Sequence, residues 1–136
     1  MDARADLRTH GLRVTPQRVA VLEAMDGGRA MSAQEVHQAA QDDWPDLGLS
    51  TVYRTLLRFV DAGVVDEIGQ FAGEATYRLC SGHHHHHLVC DRCRSVIELG
   101  DCDLEYSHDA IAEEHGFEVT GHAVTFHGLC RSCQTA

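Results

Sequence analysis

The sequence predicts an α+β protein in which a winged helix-turn-helix, residues 1–80, precedes a small α/β unit, residues 81–136. Three observations predict this class. Caps and apolar spacings mark four helices in the first half, and two strand-like runs with a glycine-containing turn follow them. The second half combines five consecutive histidines with two Cys-x-x-Cys pairs. Helices followed by a two-stranded hairpin are typical of a winged helix-turn-helix.

The helices of the first half are predicted from their ends. They are residues 5–10, a helix from Thr15-Pro16 through Met25, a helix from the Ser32/Glu35 capping box to about Ala40, and Thr51–Ala62, capped by Ser50 and ended by Gly63. The last of these carries an apolar stripe at helical spacing, which predicts its buried face.

The strands are predicted from short apolar or alternating runs. In the first half they are Val64–Ile68 and Ala75–Leu79, with residues 69–74 as the turn. In the second half we expect strands at His86–Val89, Ser95–Leu99 and Phe117–Phe126, and a helix capped by Asp103 that runs to His115.

The composition narrows the class of protein. The chain has 136 residues and a net charge of −10, which at first sight argues against nucleic acid as a partner. The charge is uneven, however, because residues 1–63 carry −2 and residues 64–136 carry −8. No apolar run is long enough for a membrane span, and no apolar N-terminal signal is present. We therefore expect a cytoplasmic protein without a membrane partner, whose cysteines are metal ligands rather than disulfides.

The paired cysteines are the most specific signal in the sequence. Cys90 and Cys93, with Cys130 and Cys133, offer two ligands each to one zinc tetrahedron. A site with four thiolates has no open position, so this metal is expected to hold the fold. The alternative is that these cysteines are simply buried or form disulfides.

The histidine run, residues 83–87, leads directly into the first cysteine pair. If it is extended, its side chains alternate between two faces. His85 and His87 then point one way, with His83, while His84 and His86 point the other way, so one strand can supply two metal sites. The alternative is a disordered tract that scavenges metal.

Three side chains of the fourth helix lie off its apolar stripe: Tyr53, Arg54 and Arg58. A tyrosine ring can contact thymine methyl groups, and an arginine can bond a purine edge in the major groove. Taken alone, these residues fit a solvated helix face better than a DNA-reading face.

Three segments, in this order, resemble the ferric uptake regulator family: residues 12–18 (LRVTPQR), residues 50–56 (STVYRTL) and the histidine run into Cys90-x-x-Cys93. The resemblance covers essentially the whole chain and is greatest with the zinc uptake regulators of actinobacteria. It implies a metal-dependent repressor that is not an enzyme and has no small organic substrate. The protein would be a homodimer that binds double-stranded operator DNA, with a winged-helix DNA-binding domain at 1–80 and a dimerisation domain at 81–136.

The resemblance also implies up to three zinc ions per chain, structural and regulatory. The four paired cysteines match the structural ion. A hinge site would comprise Asp66, Cys80, His85 and His87, and a site inside the dimerisation domain would comprise His84, His86, Glu105 and His122. The expected DNA-binding residues are Thr51, Tyr53 and Arg54 on the fourth helix, with Arg13 and Arg18 on the DNA backbone.

Several alternatives stay open at this point. The thiol of Cys80 favours zinc over ferrous iron as the sensed metal, but an iron or nickel sensor remains an alternative. A zinc store or a zinc hydrolase is a more distant one. Cys102 is absent from the family pattern and is assigned no role, and His108 belongs to none of the expected sites.

Overall fold

A computed structural model describes residues 2–25, 28–80, 83–100, 102, 104 and 106–135. The chain divides into two compact units, Met1–Gly82 and His83–Ala136. Within the described residues, no helix is long and apolar enough to cross a membrane. Each unit carries its own three-stranded sheet.

Four helices form most of the first unit: α1 (Ala3–Thr9), α2 (Pro16–Ala24), α3 (Ala33–Ala40) and α4 (Leu49–Ala62). The predicted caps of α2 and α3 are present, because the Thr15 hydroxyl accepts from Arg18 N–H and Ser32 and Glu35 form a complete capping box. Helix α1 begins earlier than predicted, since Asp2 accepts hydrogen bonds from the N–H groups of the first turn.

Helix α4 begins differently from the prediction. Ser50 is not its N-cap; that position is held by Gly48, whose backbone is extended and whose carbonyl accepts from Val52 N–H at 3.2 Å. Ser50 therefore lies inside the first turn. The other end is as predicted, because Gly63 takes a left-handed conformation with φ of +79° that a side chain would disfavour.

The sheet of this unit has the order β1-β3-β2, from β1 (Met31–Ser32), β2 (Val65–Phe71) and β3 (Glu74–Leu79). The hairpin strands are longer than predicted. Gly69 lies inside β2, at a register shift that marks a β-bulge, so the turn contracts to residues 72–73. Strand β1 was not predicted, because its two residues lead directly into α3 and are too few to show an alternating pattern.

The core of the first unit lies between its helices and its sheet. Most of the predicted apolar stripe of α4 is buried there: Val52, Leu56 and Phe59 are at 0% exposure, and Val60 is half-buried. Helices α1 to α3 and strands β2 and β3 contribute the remaining buried side chains. A packed apolar core of this kind holds α4 rigidly and leaves its opposite face to solvent.

The second unit contains β4 (His86–Cys90), β5 (Val96–Leu99), α5 (Tyr106–His115), β6 (Thr125–Gly128) and α6 (Arg131–Gln134). Its sheet has the order β5-β4-β6, with β4 antiparallel to β5 and parallel to β6. The parallel pairing places Cys90 opposite Gly128, which brings the last cysteine pair next to the first.

Two predictions for the second unit change. The expected strand Phe117–Phe126 is wrong over most of its length: only Thr125–Gly128 is a strand, because it pairs with β4, while residues 117–124 pair with no strand in the described part of the chain. The expected helix ends at His115 as predicted, while its expected cap, Asp103, lies outside the described residues.

Candidate metal centres

The four-cysteine cluster is built by a strand end and a helix start. Cys90 closes β4 and Cys93 follows in the turn to β5, where Arg94 has φ of +62° and its N–H donates to the Cys90 carbonyl at 2.9 Å. Cys130 precedes α6 and Cys133 lies within it. The four sulfur atoms all lie within 4.8 Å of one another.

The spacing of these sulfur atoms fits a zinc tetrahedron. Zn–S bonds of about 2.3 Å place two ligand sulfurs ~3.8 Å apart, and Cys93 Sγ lies 3.8 Å from Cys130 Sγ. All four cysteines are free thiols, so the disulfide alternative does not hold. The chemistry and the spacing of this cluster fit a closed, structural metal site.

The electrostatics of the cluster show why a cation suits it. The Cys130 N–H donates to Cys90 Sγ at 3.4 Å, and this bond is the main reason why the pKa of the Cys90 thiol is lowered to about 6. Contact with Cys130 chiefly raises the pKa of Cys133 to about 12. Crowded thiols therefore do not all ionise together unless a positive charge lies among them.

The histidine run presents two separate groups of rings. The rings of His84 and His86 lie 4.9 Å apart between centroids, and those of His85 and His87 lie 4.7 Å apart. These are the two pairs that alternation along an extended chain brings together. The regular strand β4 itself begins only at His86.

A second cluster, the inner histidine centre, comprises His84, His86 and His122. The three ring centroids lie 4.8 to 4.9 Å from one another, and His122 Nε2 is 3.1 Å from His86 Nε2. The centre also contains Cys102, whose donor atom lies with the three histidines within 4.8 Å. Glu105, the fourth expected residue here, lies outside the described residues.

Two residues of this centre were missed from the sequence. Cys102 Sγ is 3.1 Å from His86 Nε2, and His108 Nε2 is 2.7 Å from His122 Nδ1. No spacing rule links a single cysteine or a helical histidine to the distant histidine run, so no sequence signal identified them. His122 itself comes from the segment without a strand partner.

The remaining expected ligands form one pair in each unit. In the first unit, Asp66 on β2 and Cys80 just after β3 have donor atoms within 4.8 Å, because the hairpin register pairs Asp66 with Arg78, two residues before Cys80. In the second unit, the Nε2 atoms of His85 and His87 lie 3.1 Å apart. In each pair the two donor atoms lie close together, and both residues of the pair belong to the same unit.

The expected DNA-binding residues lie at the surface of the first unit, where Arg13, Tyr53 and Arg54 are exposed and Arg18 and Thr51 are half-buried. Tyr53 is 40% exposed on α4, and next to it Arg54 donates to the Thr51 hydroxyl at 3.3 Å. Arg18 donates to the backbone carbonyl of Arg13 at 2.9 Å, which joins the start of α2 to the loop before it. The off-stripe face of α4 is thus available to a partner.

Comparison with known proteins gives a consistent result. The sequence model of the Ferric uptake regulator family matches residues 9–127. The zinc uptake regulation protein of Mycobacterium tuberculosis is 43% identical over 128 residues, which cover 92% of this chain and 97% of that protein. The ferric uptake regulation protein of Legionella pneumophila is 38% identical over 136 residues, covering 98% and 100%.

A solved structure of a zinc uptake regulator complexed with zinc and DNA is similar to this chain as well. It superposes with a TM-score of 0.79 at 28% identity, and the match covers 98% of this chain and 91% of that one.

Proposed function

The chain belongs to the ferric uptake regulator family of transcription regulators, and we propose that it is a zinc-responsive repressor in the cytoplasm. In this proposal it binds palindromic operator DNA as a homodimer when zinc-loaded and controls zinc uptake genes. The similar zinc uptake regulation protein supports zinc as the metal, and the similar structure solved with zinc and DNA supports DNA as the partner.

The observation that carries the choice of zinc is the donor chemistry. Each proposed centre contains sulfur: four thiols in the cysteine cluster, Cys80 in the hinge set and Cys102 beside the inner histidine centre. Thiolate and imidazole ligands together suit zinc, whereas carboxylate-rich sites suit harder ions. When bound, zinc supplies charge neutralisation and a fixed tetrahedral geometry rather than a reaction.

The cysteine cluster is proposed to hold the second unit together. Among the described residues of that unit, the buried apolar side chains are few: Val89, Cys90 and Val96. A unit of this size cannot fold on such a core alone. Structural zinc sites have apparent binding free energies of ~10–16 kcal/mol, which is as large as the whole stability of a typical domain.

An exposed apolar strip supports the homodimer. Leu88 on β4 lies beside Ile97 on β5 and Phe126 on β6 in the sheet register, so the three side chains line one face. They are exposed by 37%, 58% and 52%. Apolar side chains clustered on one face mark an interaction surface, and a second copy of the strip is self-complementary in a two-fold dimer.

Substituting Ile97 by aspartate tests this interface. We expect the Ile97→Asp protein to be monomeric by analytical ultracentrifugation, because the charge would have to be buried against the partner's apolar strip. Leu57→Asp, which changes a side chain of similar exposure on α4, is the matched control and should stay dimeric. If the Ile97→Asp protein remains a dimer at micromolar concentration, the strip is not the interface.

The regulatory step is proposed at the hinge. Cys80, whose sulfur lies near the Asp66 carboxylate, precedes His85 by only five residues, and the division between the two units lies between them. If these two pairs hold one zinc ion together, they fix the angle between the two units. Without it the units sample many angles, and zinc shifts the population toward the one that fits DNA. Such coupling is typically ~1–3 kcal/mol, and by linkage operator DNA tightens zinc binding equally.

The reading element is proposed to be α4, inserted into the major groove. Its exposed Tyr53 and Arg54 would contact bases, with Thr51 holding the Arg54 guanidinium in place. Arg13 and Arg18 at the start of α2 would contact phosphates and contribute affinity without sequence preference.

Replacing Tyr53 and Arg54 by alanine should reduce the preference for the operator over scrambled DNA by about 1–3 kcal/mol for each lost base contact. The measurement is fluorescence anisotropy at fixed salt, with an operator selected from a randomised pool. Arg13→Ala, which removes an equal charge at an expected phosphate contact, should lower both affinities without changing their ratio. An unchanged ratio in the Tyr53/Arg54 double variant would show that another element reads the DNA.

An iron sensor is the second candidate, because relatives named ferric uptake regulation proteins are also similar, one at 38% identity. A gel-shift titration against the selected operator, with zinc, iron, nickel and manganese at buffered free concentrations, separates the candidates. For each metal, the free concentration that gives half-maximal operator binding is compared with the concentration at which that metal is usually available. The zinc proposal requires this ratio to be lowest for zinc. Response to iron or nickel alone would replace it.

A further inference from the structure

We propose that Cys102 is a metal ligand of the inner histidine centre. The site would then have three imidazole ligands and one thiolate ligand. The resemblance to the family implied Glu105 in that position and gave Cys102 no part. The inference rests on the proposed function only in taking the inner histidine centre as a metal site.

The convergence of donor atoms carries the proposal. Cys102 Sγ lies 3.1 Å from His86 Nε2 and 3.0 Å from His122 Nε2, and these two nitrogens are 3.1 Å apart. A neutral imidazole has only one N–H, and a thiol has only one S–H. A protonated ring nitrogen only donates and an unprotonated one only accepts, so these three contacts cannot all be full hydrogen bonds, whereas one cation at their centre binds all three atoms.

Burial adds to the cost of leaving these atoms without a cation. His86 is only 4% exposed, and its Nδ1 has no hydrogen-bond partner among the described residues. Among the described residues, His86 therefore makes its polar contacts only through Nε2, which lies next to Cys102 and His122. A buried imidazole with one unpartnered nitrogen is expected where its other nitrogen binds a strong partner.

His108 orients the third donor. Its Nε2 lies 2.7 Å from Nδ1 of His122, on the side of the ring opposite the centre. When His122 Nδ1–H donates to His108, the lone pair of His122 lies on Nε2, which faces Cys102 and His86. Metal-ligating histidines almost always use their second nitrogen in this way.

The distances are compatible with zinc after a small expansion. Zn–N bonds of about 2.0–2.1 Å and Zn–S bonds of about 2.3 Å put tetrahedral ligand atoms ~3.3–3.6 Å apart. The observed separations are a few tenths of an ångström shorter. A thiolate makes this centre softer than one completed by Glu105, and so more selective for zinc over iron and manganese.

The test isolates the thiolate of Cys102 from the other five. In a Cys80→Ser protein whose four-cysteine cluster is filled with zinc, Cys102 is the last cysteine outside that cluster. Cobalt(II) added to this protein should produce a thiolate-to-cobalt charge-transfer band in the near ultraviolet. The Cys80→Ser/Cys102→Ser protein should lack the band, and Cys80→Ser/Glu105→Gln should keep it.

Zinc affinity provides the second readout, by chelator competition on the full chain. Cys102→Ser should weaken the binding of one zinc ion per chain by more than ~10-fold, because loss of a residue that only hydrogen-bonds to a metal ligand already lowers metal affinity by about 10–100-fold. Cys102→His should restore the affinity without restoring the band. The proposal is overturned if the band is absent in the Cys80→Ser protein, or if Glu105→Gln loses the zinc equivalent while Cys102→Ser retains it. Operator binding by the parent protein is measured separately, so that a failure here is distinct from a failure of the proposed function.

Discussion

Substituting Cys90 by serine should unfold the second unit and convert the protein to a monomer. The side chain is buried at the end of β4, where the cysteine cluster joins that strand to the start of α6. Serine nearly preserves the volume but is a poor zinc ligand, so the metal's contribution to folding is lost. We expect loss of one tightly held zinc equivalent, loss of the dimer by ultracentrifugation, and a melting transition for the first unit alone.

Cys80→Ser is the matched control, because it makes the same chemical change outside the cluster. That protein should keep its tightly held zinc equivalent, its dimer and both melting transitions. A Cys90→Ser protein that remains dimeric and melts as the parent does would refute the structural role of the cluster. Cys130→Ser should reproduce the Cys90→Ser result, since it removes a ligand from the other side of the same cluster.

The helices of the first unit could be predicted from sequence because their signals are local. The Thr15-Pro16 start and the Ser32/Glu35 capping box depend on a few neighbouring residues, and the structure contains both. Ser50 shows the limit of this approach. It has the right chemistry for a cap, but the packing of α4 places Gly48 at that position instead.

The strands that were misplaced depend on partners far along the chain. Strand β1 exists because Met31 pairs with Tyr77. The strand expected at Phe117–Phe126 shortens because, of that stretch, β4 pairs only with the part that begins at Thr125. Alternation in a sequence gives a residue the capacity to form a strand. It does not provide the neighbouring strand that must accept its hydrogen bonds.

The same distinction holds for the metal centres. Cysteine pairs and alternating histidines are periodic, so their grouping could be expected from the chain alone. Cys102 and His108 enter the inner histidine centre through tertiary folding, which brings them to His122 from 20 and 14 residues away. A lone ligand of this kind has no sequence pattern and becomes visible only in three dimensions.

The hinge variants should have the largest effect on regulation itself. Cys80→Ser replaces a soft thiolate with a hydroxyl at the end of the first unit, next to Asp66. We expect this protein to fold, to keep its structural zinc and its dimer, and to require about 10-fold or more free zinc to bind the operator. The measurement is operator anisotropy against buffered free zinc, with zinc content and sedimentation recorded on the same samples.

The two groups of histidines then test whether the hinge is the regulatory site. His85→Ala and His87→Ala should reproduce the Cys80→Ser shift, because their Nε2 atoms converge at 3.1 Å and would serve the same ion. His84→Ala and His122→Ala, which remove ligands from the inner histidine centre, should give a smaller shift because that centre lies within one unit. Both pairs of variants replace histidine by alanine, so a difference between the pairs reflects the site and not the loss of an imidazole in general. If all four histidine variants shift the zinc midpoint equally, or if Cys80→Ser responds to zinc as the parent does, then zinc binding at the hinge does not set the angle that DNA requires.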